Sequence, residues 1–250
     1  MGLLFLPLNA KSKVGHAYKG FGLFIDKRVS LKHLQNLHFS DAMMEIAKAA
    51  GGIPDDKGIE VFWNQEAELK WAHLFTNNDT IKIALNPGAD DQRKRWAIER
   101  YAKVANHLVK HFNAQIILLG GPGEENIAND IEDRIKCEIV NLAGKLDLNE
   151  LPYVISRMDL LISNDSGPMH IGAATKTPLV AIFGHEDPML FGPYTTTDLY
   201  RVIFKNVDCK PCKKKNCRNP ICLDLITPEE VIEKCAEMLG ISQGSADFTN

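Results

Sequence analysis

From Thr80 to Leu239 the chain alternates short β-branched runs with stretches of helical period, and the loops after the runs carry glycine and small polar residues. This alternation constrains the fold most. Strand–helix–strand repeats set neighbouring strands parallel through right-handed crossovers. The runs are Thr80–Leu85, Gln115–Leu119, Glu138–Asn141, Asp159–Ile162, Pro178–Phe183 and Tyr200–Phe204. Between the first two, Tyr101, Val104, Ala105, Leu108, Val109 and Phe112 recur at helical spacing and predict one buried stripe on a helix over Trp96–Phe112. Pro168 suits the first turn of a helix, and Thr227-Pro228-Glu229-Glu230 opens the last one, which Gly240 stops. The expected class is α/β, with a Rossmann-like, doubly wound parallel sheet. In such sheets ligands sit beyond the carboxyl ends of the strands. The loops after Leu85, Leu119 and Ile162 fall at that edge, so a phosphorylated, nucleotide-like ligand is expected there.

The first 78 residues read differently. A strand is expected over Gly20–Asp26. A helix capped by Ser40 and Asp41 would bury Met43, Met44, Ile46, Ala47 and Ala50. A second strand is expected over Glu60–Trp63 and a helix over Glu66–Phe75. This is too little for a second doubly wound domain. The expected organisation is an incomplete amino-terminal α/β domain over 1–78, a ligand-binding domain over 79–240 and a disordered tail over 241–250. Of the 250 residues, 45% are hydrophobic and 24% charged, as in ordinary globular proteins. A net charge of −3 gives no reason to expect a nucleic-acid partner. No apolar run approaches the roughly 18 residues of a membrane-spanning helix. The start, Met1–Pro7, lacks the basic flank and cleavage site of a signal peptide. The expected location is cytoplasmic.

Three loops carry candidate chemistry. Asn86-Pro87-Gly88-Ala89 follows the first strand, and Lys94-Arg95-Trp96 comes soon after. Gly88 and Ala89 leave room for close backbone approach. Lys94, placed at the start of the long helix, would clamp a diphosphate; a solvated basic turn explains the same residues, and the residues alone leave both readings open. Gly120-Gly121-Pro122-Gly123-Glu124-Glu125 is not a dinucleotide fingerprint, because Asn126 stands where the third glycine belongs. Taken locally, Glu124 and Glu125 more simply complement a helix dipole. Asn164-Asp165-Ser166-Gly167-Pro168-Met169-His170 is the sharpest signal. Ser166 and Gly167 are placed to present N–H groups to a phosphate; His170, in the first helical turn, either donates to a phosphate oxygen or is a satisfied structural histidine, and the neighbouring motif residues favour the first; Asp165 orders the loop through backbone N–H groups or holds a sugar hydroxyl.

Six cysteines are present, four of them as Cys209, Cys212, Cys217 and Cys222. The C-x2-C-x4-C-x4-C spacing holds only one of the two close knuckles that a zinc site commonly pairs. No metal is expected there, and no cofactor elsewhere. The lysines around these cysteines suit an acidic acceptor or a membrane surface.

Taken together, Asn86–Ala89, Lys94–Trp96, Asn141-Leu142-Ala143-Gly144-Lys145, Asn164–His170, Phe183-Gly184 and the cysteine-rich segment before Ile226–Val231 resemble glycosyltransferase family 9, the family of the lipopolysaccharide heptosyltransferases. The resemblance covers residues 80–240. It implies a GT-B-like architecture and an inverting, metal-independent transfer of heptose from ADP-heptose to the lipid A–Kdo inner core. It implies the diphosphate on Lys94, the ribose on Glu124, and the sugar and phosphate end on Asp165, Ser166, Gly167 and His170, with Gly88 and Ala89 beside them. It also implies a cytoplasmic enzyme peripheral on the inner face of the inner membrane. The aspartate that the family uses as general base near its amino terminus has no counterpart here. Two alternatives therefore stand beside it: a catalytically incomplete nucleotide-sugar-binding module, and a member using a different nucleotide sugar.

Overall fold

The structure is a computed structural model and describes residues 10–16, 21–30, 34, 36–55, 58–76, 79–210, 212, 217 and 219–241. The chain divides into two compact units, residues 1–57 with 189–191, and residues 58–188 with 192–250.

In the first unit, β1 (Val14–His16) pairs parallel with β2 (Lys27–Val29), Val14 opposite Lys27. The expected strand over Gly20–Asp26 is not formed. Phe21–Phe24 make a 3-10 turn and the strand begins after Asp26, while Gly20 lies outside the described residues. The helix Phe39–Ala49 is capped by His38, whose Nδ1 accepts from the Ser40 N–H at 3.1 Å. Ser40 is therefore inside the helix and not its cap. Of the helix only Ala42 is buried; Met43 and Met44 are 38% and 39% exposed. Among the described residues this unit offers only two three-residue strands for an apolar helix face to cover.

The second unit is built on a six-stranded parallel sheet. Its strands are β3 (Ile81–Asn86), β4 (Ala114–Leu118), β5 (Val140–Asn141), β6 (Leu160–Asn164), β7 (Leu179–Phe183) and β8 (Tyr200–Phe204). The order is β5-β4-β3-β6-β7-β8. Chain direction across the sheet reverses between β3 and β6, which is the switch point where doubly wound sheets open a crevice. The register there sets Asn86 opposite Ser163.

Both faces of this sheet are covered, so its strands are apolar throughout rather than alternating. Ile83, Leu85, Ile116, Leu118, Leu160 and Ile162 face one core, with Tyr101, Val104, Ala105 and Leu108 of the helix Ile98–Phe112 and Val231, Ile232 and Cys235 of the helix Pro228–Leu239. Ala84, Ile117, Leu119, Leu161, Ala181 and Phe183 face the other, with Tyr153, Val154 and Ile155 and with Met169. The long helix ends at Asn113, whose φ of 51° is a left-handed cap. Thr227 and Gly240 cap the last helix as expected.

The unit begins well before residue 79. No strand forms over Glu60–Trp63. Asn64 caps the helix Gln65–Trp71 by accepting from Ala67 N–H at 3.0 Å, and a 3-10 turn continues to Phe75. Trp71 and Phe75 are buried in the second core, and Lys70 pairs with Glu150 at 2.8 Å. Residues 58–76 thus pack with the carboxy-terminal unit, because Trp71 and Phe75 are buried in its second core with Tyr153. Of the expected disordered tail, only Ile241 lies within the described residues.

Candidate active site

The two strands at the switch point each end in asparagine, and both are buried. Asn164 accepts from Trp96 N–H at 3.2 Å and from the Tyr101 hydroxyl at 3.0 Å, and donates to Pro87 O at 2.7 Å. Asn86 donates to Ser163 Oγ at 3.2 Å and Ser166 Oγ at 2.9 Å. One network of amides and hydroxyls therefore ties the loop after β3, the loop after β6 and the turn before the long helix. Burial pushes the Tyr101 phenol far above its usual range, so it stays a neutral donor. Neither asparagine was assigned a role from sequence. The available signal was a strand-final asparagine in both motifs.

Lys94 does not start the long helix. It ends a 3-10 turn, Gln92–Lys94, and the helix begins at Ile98. The turn is held by Asp91, which accepts from Arg93 through both backbone and side chain. The Arg93 guanidinium holds the Asp91 carboxyl down to about 2. The turn aims Lys94 across the switch point, where its Nζ lies 2.8 Å from Asp165 Oδ2. The Lys94 side chain is 23% exposed and that of Asp165 5%. Asp165 was expected to order its loop by accepting backbone N–H groups or to hold a sugar hydroxyl; among the described residues its carboxylate is the counter-ion of Lys94, and its own N–H donates to Ile182 O at 3.1 Å. A carboxylate this enclosed requires a cation beside it, and Lys94 provides it.

The other expected residues gather at the same edge. Glu124 accepts from Gly121 N–H at 2.8 Å, and its carboxylate lies so close over Gly88 that any Cβ there would collide with it. A Cβ at Gly88 would push that carboxylate aside, and Ala89 beside it is buried. Glu125 accepts from Gly123 N–H at 2.8 Å and lies against Gly144, which has a φ of 72°. The Asn141–Lys145 segment is folded on itself: Asn141 accepts from Ala143 N–H and Lys145 Nζ donates to Asn141 O at 2.7 Å. Ser166 precedes the helix Gly167–Thr175 without capping it, Pro168 lies in its first turn, and Gly167 is exposed with open space beside its Cα. His170 is half-buried on this helix. Gly184 is packed against Arg93 O and Leu223, so the loop after β7 abuts the Lys94 turn. Arg100 and the Trp96 indole donate to carbonyls between Leu223 and Ile226, which fixes the segment after the cysteines.

The sequence model of glycosyltransferase family 9 (heptosyltransferase) matches residues 2–222. The chain belongs to glycosyltransferase family 9. Lipopolysaccharide core heptosyltransferase OpsX of Haemophilus influenzae is 30% identical over 204 residues, covering 78% of this chain and 57% of that protein. A family 9 glycosyltransferase from Veillonella parvula superposes with a TM-score of 0.79 at 25% identity, over 92% of this chain and 68% of that one. ADP-heptose lps heptosyltransferase II of E. coli shares the fold, with a TM-score of 0.66 at 23% identity, over 88% of this chain and 72% of that one. The family 9 chain spans about half the length of several of the curated relatives it matches, 53–57% for three of them. No described helix is long and apolar enough to cross a membrane.

Proposed function

We propose that this family 9 chain carries the donor site of a heptosyltransferase that moves heptose from ADP-heptose to the lipopolysaccharide inner core, with inversion and without a metal. The observation that carries the reading is the meeting of Lys94, Asp165, Ser166 and the Gly88–Glu124 contact at the sheet's switch point. In this reading Lys94 and the backbone N–H groups of Ser166 and Gly167, at the start of the helix Gly167–Thr175, take the diphosphate. Glu124, held beside Gly88, takes the ribose diol. Asp165 and His170 face the sugar end. The developing charge on the departing ADP is stabilised by donors already in place, which is electrostatic catalysis. The acceptor hydroxyl must also lose a proton, and we assign no general base among the described residues. The relatives support a lipopolysaccharide-core acceptor, and we propose the lipid A–Kdo core at the inner face of the inner membrane.

The test is incubation of the purified chain with ADP-heptose and a heptose-free inner-core acceptor, followed by mass spectrometry of the acceptor. The reading predicts an acceptor heavier by one heptose. Donor binding without transfer would instead establish the incomplete binding module. Failure to bind ADP-heptose while another nucleotide sugar binds would replace the donor.

A further inference from the structure

Cys209, Cys212, Cys217 and Cys222 line one cavity of about 190 Å³, together with Arg93, His185 and Lys210. All four are thiols in the structure. Among the described residues no group of three or more His, Cys, Asp or Glu side chains is placed to hold a metal ion. Lys210 lines the same cavity. Lys210 Nζ stacks 3.2 Å over the Phe204 ring and has no hydrogen-bond partner. Burial lowers the Lys210 pKa, and negative charge on Cys222, Cys209 or Cys212 would act the other way. The lysine and a thiolate beside it therefore stabilise each other.

The four thiols are not equivalent. Cys222 is buried, and burial pushes its thiol up. Cys217 Sγ donates to Asn219 O at 3.2 Å. Cys209 is exposed and Cys212 half-buried, and only Lys210 and Pro211 separate them. This gives an accessible attacking thiol, a second thiol close behind it along the chain, and a cation between them. C-x-x-C spacing is short enough for reversible closure.

We propose that Cys209 and Cys212 are a thiol–disulfide exchange pair, a modification site for small disulfides of the glutathione class. The Cys209 thiolate attacks one sulfur of the small disulfide; its S–S bond breaks and one thiolate leaves. The Cys212 thiolate then attacks the mixed disulfide at Cys209 and expels the second. Two protein thiols are oxidised and one small disulfide is reduced to two thiols, the departing thiolates taking up the two protons that the protein thiols release. The site is independent of the donor reading.

The experiment treats the reduced full chain with oxidised glutathione, blocks remaining thiols by alkylation and maps the peptides by mass spectrometry. The expected product is an internal Cys209–Cys212 disulfide with two glutathiones released per chain. In the Cys212→Ser variant, glutathione stays trapped on Cys209. The proposal is overturned by a stable mixed disulfide on Cys209 in the unaltered chain, by closure onto Cys217 or Cys222, or by absence of reaction. A metal ion retained in the native mass spectrum that protects all four thiols also overturns it.

Discussion

Asn164→Leu is expected to lower the free energy of unfolding by about 3–5 kcal/mol. The substitution is close in size, so the loss is one of polar satisfaction rather than volume. It removes the acceptor of the Trp96 N–H and the Tyr101 hydroxyl and the donor to Pro87 O. These partners lie in buried residues, and a buried polar group left unmade costs about 1–3 kcal/mol. Tyr101 keeps a weaker partner in Asn86 O at 3.4 Å, so the sum stays below three full penalties. Urea unfolding measures this as a lower midpoint at unchanged slope. A loss under about 0.5 kcal/mol, the range of ordinary surface changes, would mean that the network is not what holds the two loops together.

Lys94→Ala is expected to weaken ADP binding by about tenfold to a hundredfold, because a hydrogen bond between charged groups is worth about 1.5–3 kcal/mol. The same substitution strands Asp165, whose side chain is 5% exposed, without its cation. Stability should fall as well, by about 1–3 kcal/mol. The two effects separate in the double variant Lys94→Ala with Asp165→Asn. Neutralising the stranded carboxylate restores stability, while affinity for ADP stays low. Calorimetric titration beside urea unfolding reads both. Full affinity in the single variant would remove Lys94 from the donor site; recovery of affinity in the double variant would show that Lys94 acts only by neutralising Asp165.

The sheet was legible because apolar runs of strand length alternate with helix-period stripes, and the loops at its carboxyl edge were marked by glycine or by small polar residues. Of the expected stripe, Tyr101, Val104, Ala105 and Leu108 are fully buried, and Val109 and Phe112 are partly buried against the same core. What was not legible depends on contacts between distant segments. The Lys94–Asp165 pair joins residues on loops after different strands. The Asn86 and Asn164 amides look like ordinary turn residues until the register sets the ends of β3 and β6 side by side. The unit boundary was missed because Trp71 and Phe75 have helical spacing in either unit, and only packing beside Tyr153 decides between them. Near the amino terminus, periodicity misled: the helix Phe39–Ala49 has a clear apolar side but leaves both methionines in solvent.

The central claim is that the loops at the β3–β6 switch point form a nucleoside-diphosphate site. Calorimetric titration of the purified chain with ADP, with UDP and NAD as controls, tests it most directly. The account predicts saturable binding of one ADP per chain, with UDP and NAD bound more weakly. A folded chain, verified by cooperative urea unfolding, that takes up none of the three would contradict it.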